Sequence, residues 1–323
     1  MYLFLLFGLI FYFLIRVGFK MINKIKKKDN MTNTLKENLV NFLVDNPSNL
    51  KQIYGAFPKE KETTIRGRLN ENINKCFKRI YRGIYLATSG NAQALIIEGD
   101  AWEEVKNIES NSIDAIITDS PYTSLDKYYK VGTTRKRNLQ KSVGFKTKDI
   151  DKILLKEFYR VLKVGGHFFS FLPADAKGTK HKNDYFIFTS EEVGFIFNKR
   201  FIWDKKCIGM GYNGRSKYEQ IIFLSKEKRT MPRDRSIPDL LSHKRISPSK
   251  RIHVAQKPNE LIKDLIKFCS NENDVIFDPF AGSLVLAEEC LKNKRNNISI
   301  EIDKEMIDKS IKERNLKEGV IIK

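Results

Sequence analysis

The side chains best suited to chemistry fall into three short groups along the 323-residue chain. Gly99 and Asp100 form the first, residues 119–122 (DSPY) the second, and residues 278–283 (DPFAGS) the third. Each group sets a carboxylate beside small or turn-forming residues. A carboxylate at such a turn accepts hydrogen bonds, and a Gly-Ser pair lets a bound molecule approach the backbone closely. These residue types point to ligand positioning rather than to metal or thiol chemistry. Cys76, Cys207, Cys269 and Cys290 are scattered, with no CxxC or Cys/His spacing for zinc, and none follows a proline. We read them as reduced thiols and expect no metal.

The elements that must position these groups alternate from Gln93 onward. AQALIIEGD reads as a strand ending at Gly99 and Asp100, and SIDAIITDSPY as a second. Residues 152–162 form an amphipathic helix stopped by Gly165 and Gly166, with HFFSFLP as the next strand. FIFNKRFIW and EQIIFLS are further strands, residues 259–270 a helix, and VIFDPF and NNISIEID two more strands. This alternation predicts an α/β fold, a mostly parallel sheet covered on both faces. Ligands in such folds sit at the carboxyl ends of the strands, where all three groups fall.

Residues 31–90 read as a separate, helix-rich unit. Leu35, Leu39, Phe42 and Leu43 share one helical face, and a second short helix from Asn49 buries Leu50, Ile53 and Tyr54. A third, over 61–73, buries Ile65, Leu69 and Ile73 and presents Thr63, Thr64, Arg66, Arg68 and Asn70 on its other side. CFKRIYRGIYLA then reads as a β-hairpin turning at Arg82 and Gly83. Three helices and a hairpin in this order resemble a winged helix-turn-helix, which would bring Arg66 and Arg68 to a DNA groove. A helical cap that only packs is the competing reading. Residues 1–30 hold the apolar run MYLFLLFGLIFYFLI and then Arg16, Lys20, Lys24 and Lys26 to Lys28. Either this is a membrane anchor with a basic flank, or it is an extension upstream of Met21 or Met31. We expect a dispensable extension, and residues 91–323 to form the working domain.

Lys and Arg number 59 against 39 Asp and Glu, a formal charge of +20. That excess suits a polyanionic partner, although a lysine-rich solvated surface would look the same. The basic residues cluster. Residues 127–148 contain Lys130, Arg135 and Arg137 and no acid, with Tyr128 and Tyr129 interleaved. A second stretch, 226–251, contains Arg229, Arg233, Arg235, Lys244 and Arg245.

DSPY resembles the DPPY tetrapeptide of DNA amino-methyltransferases, and DPFAGS their cofactor loop. EFYRVLKVGGHFF (157–169) and HVAQKPNELIKDLI (253–266) are similar to two further passages of that family. The base-handling motif precedes the cofactor motif, as in the circularly permuted β group, and the resemblance covers roughly residues 95–303. It implies a Rossmann-like domain with a seven-stranded, mostly parallel sheet. It also implies S-adenosylmethionine as cofactor, double-stranded DNA as substrate and a cognate restriction endonuclease as a partner inside the cell. Asp119, Ser120, Pro121 and Tyr122 would handle a base swung out of the duplex, Asp119 accepting an N–H of its exocyclic amine and Tyr122 stacking on it. Asp100, Lys257, Asp278, Phe280, Gly282, Ser283 and Glu301 would bind the cofactor, Glu301 at the ribose and Lys257 near the methionine. The basic stretch with Lys130, Arg135 and Arg137 would grip phosphate.

The chain departs from the family at Ser120, where proline is usual, and at Leu284, where glycine is usual. The leading Asp119 favours adenine N6, with cytosine N4 as the alternative; an RNA target is less in keeping with the permuted order and the winged helix. The lack of a Pro-Cys pair argues against cytosine carbon 5. Leu284 is expected to crowd the methionine end, and a DNA-binding protein without catalysis is the alternative it raises.

Overall fold

The computed structural model describes residues 33–45, 47–73, 75–88, 90–120, 149–176, 179–209, 214–253, 255–316 and 319–323. The amino-terminal extension, Pro121, Tyr122 and the basic stretch with Lys130, Arg135 and Arg137 lie outside these residues. Among the described residues no helix is long and apolar enough to cross a membrane.

Helices α1 (Leu35–Asp45), α2 (Leu50–Ala56) and α3 (Glu62–Glu71) precede a hairpin of β1 (Phe77–Arg79) and β2 (Tyr85–Ala87). Helix α2 starts at Asn49, whose side chain accepts from the Gln52 amide while Gln52 bonds back to Asn49, so two otherwise unpaired helix-end donors are satisfied. Leu39, Leu43, Ile53, Ile65 and Leu69 pack around Phe77 and Tyr85 as a small core of their own. The hairpin turns where the sequence predicts. Arg82 (φ 44°) and Gly83 (φ 71°) both take positive φ, the pairing that matches the twist of two antiparallel strands.

The main sheet is built from β3 (Ala94–Glu98), β4 (Ile113–Thr118), β5 (Leu162–Pro173), β6 (Phe195–Asp204), β7 (Tyr218–Lys226), β8 (Leu240–Ser242), β9 (Val275–Asp278), β10 (Asn296–Glu301) and β11 (Val320–Ile322). Their order is β11-β3-β10-β9-β4-β5-β7-β6-β8. The first six run parallel, and β7 lies antiparallel between β5 and β6. Among the described residues the sheet thus has nine strands where seven were expected. The outermost two, β8 and β11, are three-residue edge strands too short for a hydrophobic period to reveal.

Helices α4 (Ala101–Glu104), α5 (Lys152–Val161) and α6 (Lys180–Val193) lie on one face. Helices α7 (Asn259–Cys269), α8 (Val285–Lys292) and α9 (Lys304–Glu313) lie on the other. Each face buries a continuous apolar cluster, with Phe158, Phe168 and Phe277 in one and Phe169, Phe223 and Leu265 in the other. Each such side chain contributes about 1.5–3 kcal/mol on leaving water. The helix expected over 152–162 ends at Val161, but Gly165 and Gly166, expected to stop it, lie within β5. A Cβ on Gly166 would stand 2.9 Å from the Asp114 carbonyl oxygen of the neighbouring strand, so this glycine permits close strand packing rather than helix termination.

The hairpin also joins the small unit to the sheet. Ile80, Tyr81, Ile84 and Leu86 belong to the main core. Lys78 Nζ donates to the Asn273 carbonyl at 2.7 Å, and Gln93 Nε2 to the Val44 carbonyl at 2.5 Å. Asn273 and Gln93 immediately precede β9 and β3, so the unit docks at the amino-terminal ends of the parallel strands.

Candidate active site

The candidate site residues lie at the opposite edge. Strands β4 and β9 are parallel neighbours, with Ile116 beside Phe277, so their carboxyl ends emerge together. Thr118 Oγ1, one residue before Asp119, donates to Asp278 Oδ1 at 3.0 Å and ties the end of β4 to the end of β9. Four carboxylates, one from each strand end, follow in order: Asp100 after β3, Glu301 at β10, Asp278 at β9 and Asp119 after β4. Three inter-strand spacings make that row about 14 Å long, the span of an elongated ligand rather than a compact one.

The turn after β9 is held from beneath. Asp278 Oδ1 also accepts from the Phe280 amide at 3.1 Å, and the Ala281 amide donates to the Ile300 carbonyl at 2.9 Å. Glu301 Oε2 accepts from the Gly282 amide at 2.6 Å, and Oε1 from the Asp303 amide at 3.0 Å. Gly282 has φ +50°, and a Cβ there would meet nothing nearer than His253 Nδ1 at 4.0 Å. The turn thus offers an open cradle for a ligand against bare backbone. Ser283 is buried, and its carbonyl accepts from the Arg314 guanidinium, which also pairs with Glu288.

Leu284 does not crowd this cradle. It takes φ +55° and caps α8, and its fully buried side chain packs with Ala94, Ile96, Ala281 and Ala287. The residue type departs from the family at a position whose side chain faces the core, which removes the expected obstruction.

At one end of the row Asp100 caps α4 by accepting from the Trp102 amide at 2.9 Å. The Trp102 ring lies 5.6 Å from that of Phe280, giving an aromatic wall beside Glu301. At the other end Lys257 meets Asp119, Nζ to Oδ2 at 2.5 Å. The same ammonium lies 3.1 Å from Glu219 Oε2, and Lys205 Nζ lies 3.5 Å from Glu219 Oε1. The rings of Phe171 and Trp203 flank Lys257 Nζ at 4.9 and 5.8 Å.

The charges respond to this crowding. Burial pushes the Asp278 carboxyl up to about 7, reinforced by Asp119 and Glu301, against the hydrogen bonds from Phe280 and Thr118. Burial likewise raises Glu301. Burial would lower Lys257, but Asp119 and Glu219 outweigh it and hold the ammonium above its ordinary value. Burial would raise Glu219, but Lys257 and Lys205 hold it below the usual carboxylate range.

Of the residues singled out from sequence, Asp100, Asp119, Ser120, Lys257, Asp278, Phe280, Gly282, Ser283 and Glu301 gather along this edge. Arg66 and Arg68 do not. They are exposed on α3, in the unit docked at the opposite edge, where Arg66 Nε donates to the Tyr54 hydroxyl at 3.3 Å and Arg68 pairs with Glu71 at 2.9 Å. The second basic stretch is divided. The Arg245 amide donates to the Lys205 carbonyl near the carboxylates, whereas Arg233 and Arg235 line a cavity of about 500 Å³ with Lys267 and Arg295 at the far edge. Sequence reading missed Thr118, Trp102, His253 and Glu219. A carboxylate near the start of a strand whose middle, Ile221 to Leu224, is apolar was the one signal for Glu219.

A row of carboxylates at the carboxyl ends of a mostly parallel sheet, beside an open glycine turn, is the arrangement of a ligand-binding α/β enzyme, and comparison with known proteins names the family. The N6_N4_Mtase family model, described as DNA methylase, matches residues 113–313, and the chain belongs to that family. It is thus an S-adenosylmethionine-dependent DNA methyltransferase of the N6/N4 type. Type II methyltransferase M.HpaI of Haemophilus parainfluenzae is 32% identical over 237 residues, 66% of this chain and 71% of that protein. DNA adenine methyltransferase YhdJ of Escherichia coli (strain K12) is 26% identical over 253 residues, 68% and 81% of the two chains. Among solved structures, PvuII DNA methyltransferase (cytosine-N4-specific) superposes with a TM-score of 0.55 at 18% identity, covering 75% of this chain and 90% of that one, and so shares the fold.

Proposed function

We propose that this chain methylates the N6 amino group of adenine in double-stranded DNA. The observation that carries the reading is the Thr118–Asp278 bond, which sets the amine-accepting carboxylate and the cofactor turn one strand apart. An exocyclic amine is a poor nucleophile because its lone pair is delocalised into the ring. Asp119 accepts one N–H and a carbonyl of the Ser120–Pro121 segment the other, turning the lone pair out of the ring plane. Tyr122 stacks on the base once it has left the duplex. Catalysis of this kind rests on positioning and electrostatics, with no covalent enzyme intermediate.

The residues present suit the cofactor. Gly282 and Ser283 would give backbone access, Glu301 would accept from the ribose and Asp100 from the adenine end, the Phe280 ring would offer an apolar face, and Asp278 and Lys257 would hold the methionine end. When bound, S-adenosylmethionine supplies the electrophilic methyl. Adenine is favoured over cytosine by the leading Asp119 and by the adenine specificity named for the YhdJ relative. We further assign residues 31–90 to duplex contact as a winged helix, with Arg66 and Arg68 on phosphate, and residues 91–323 to catalysis. Phosphate beside the extruded base falls to Lys130, Arg135 and Arg137. A restriction endonuclease of matching specificity is the partner that the type II relatives suggest.

Nucleoside mass spectrometry of DNA from cells expressing the protein tests the reading. N6-methyladenine is expected, and N4-methylcytosine in its place would select the alternative. Asp119→Ala should remove the modified nucleoside, a loss of at least 10²-fold, while cofactor binding persists in calorimetry. Full modification by that variant would refute the role of Asp119.

A further inference from the structure

Lys257 is bonded to the amine-accepting carboxylate, and that carboxylate does not hold it alone. Its Nζ is shared between Asp119 and Glu219, at 2.5 and 3.1 Å, in a nook walled by Phe171 and Trp203. Three elements converge here: the turn after β4, the start of β7 and the segment before α7. Lys257 is buried, so the flexible four-carbon stem has little room except along the line between the two carboxylates. Glu219 is in turn fixed by Lys205 at 3.5 Å. The result is a chain of alternating charge, Lys205–Glu219–Lys257–Asp119, that ends on the carboxylate proposed to accept the amine.

A buried lysine with one carboxylate partner could approach it from several directions. The second carboxylate shares the ammonium's donors, at 3.1 Å against 2.5 Å to Asp119, and fixes the direction from which Lys257 reaches Asp119. We propose that Glu219 is a positioning residue for methyl transfer, which fixes the direction from which Lys257 donates to Asp119 and so the orientation in which that carboxylate meets the target amine. This rests on the amino-methylation reading and adds to it a residue that never touches either substrate. Glu219 lies on a strand that contributes none of the four carboxylates in the row.

The test is a double-mutant cycle read in kcat, with Glu219→Gln and Lys257→Met made singly and together in the full chain. Glu219→Gln keeps shape and removes charge. It should lower kcat about 10- to 100-fold and leave the KM for DNA unchanged. In the Lys257→Met background the same change should have no further effect, because its route to Asp119 is gone. Additive losses, or wild-type kcat in Glu219→Gln, would overturn the proposal. Glu219→Asp keeps the charge and should recover part of the loss, and it replaces the glutamine variant if that one does not fold. A second measurement is independent of turnover. Acylation of Lys257 by an amine-reactive ester, followed by peptide mass spectrometry, should be faster in Glu219→Gln than in wild type by at least threefold. Equal labelling would mean that Glu219 does not hold the ammonium, whereas an inactive wild type with the labelling difference intact would count against the methylation reading alone.

Discussion

Leu284 holds a left-handed backbone conformation that costs a side-chain-bearing residue about 1–2 kcal/mol, yet its isobutyl group is fully buried. Restoring the family's glycine relieves that strain but empties a core position, a loss of about 2–5 kcal/mol. Leu284→Gly is therefore expected to be less stable to urea by about 1–3 kcal/mol and to bind S-adenosylmethionine as wild type does. Weakened stability with tighter cofactor binding would return the side chain to the mouth of the cradle. The position shows what a residue string conveys. That a small residue had been replaced was legible; which way the new side chain points was not, because the sign of φ at one turn sets its direction. Asp119, Asp278 and Glu301 were legible because strand patterns end on them. Glu219 was not, because its partners Lys205 and Lys257 reach it only through the folding of other elements.

Helix α3 presents Arg66 and Arg68 to solvent through interactions that hold little energy. A surface pair such as Arg68 with Glu71 contributes about 0–1 kcal/mol. Replacing both arginines with alanine should therefore leave the thermal midpoint nearly unchanged. Fluorescence anisotropy against salt should show weaker DNA binding, with a slope smaller by about 2, one for each phosphate that is no longer neutralised. An unchanged slope would reduce the helical unit to packing. Long elements with a clear period, α5, α7 and β5, could be read from the sequence with only their ends misplaced. The Gly-Gly pair was misassigned as the stop of α5 because it serves strand packing, a tertiary demand that no local rule encodes. The edge strands β8 and β11 could not be read, since three residues carry no period.

Over the whole molecule two buried groups set opposing responses to pH. Burial, aided by Arg233, pushes His167 down to about 4, where it packs against Phe223 and donates or accepts at Thr230 Oγ1, 2.6 Å away. The unfolded chain takes up this proton first, so the stability from His167 is complete above about pH 6.5 and is lost as pH falls toward 4. Asp278, raised to about 7, acts the other way: the native state holds its proton more tightly, and that stability is lost as pH rises from about 4 through 7. Asp278→Asn should thus unfold later than wild type at pH 8, by about 2–4 kcal/mol, with the advantage shrinking toward pH 5. It should also lose stability more steeply below pH 6.5, where His167 is no longer offset. Urea titrations at three pH values check both, and a variant that tracks wild type throughout would mean that Asp278 is not a buried charge. The docking of the helical unit has a further consequence. It is seated at the amino-terminal ends of strands whose carboxyl ends carry Asp119 and Asp278, edges about 15–20 Å apart along a five- or six-residue strand. On the proposed roles of Arg66, Arg68 and Asp119, and unless the double helix curves around the sheet, the stretch gripped by α3 and the stretch opened for methylation would be different lengths of one molecule. An enzyme with two such handholds would stay leashed after each turnover, and neighbouring targets on the same strand would come to it at a raised effective concentration.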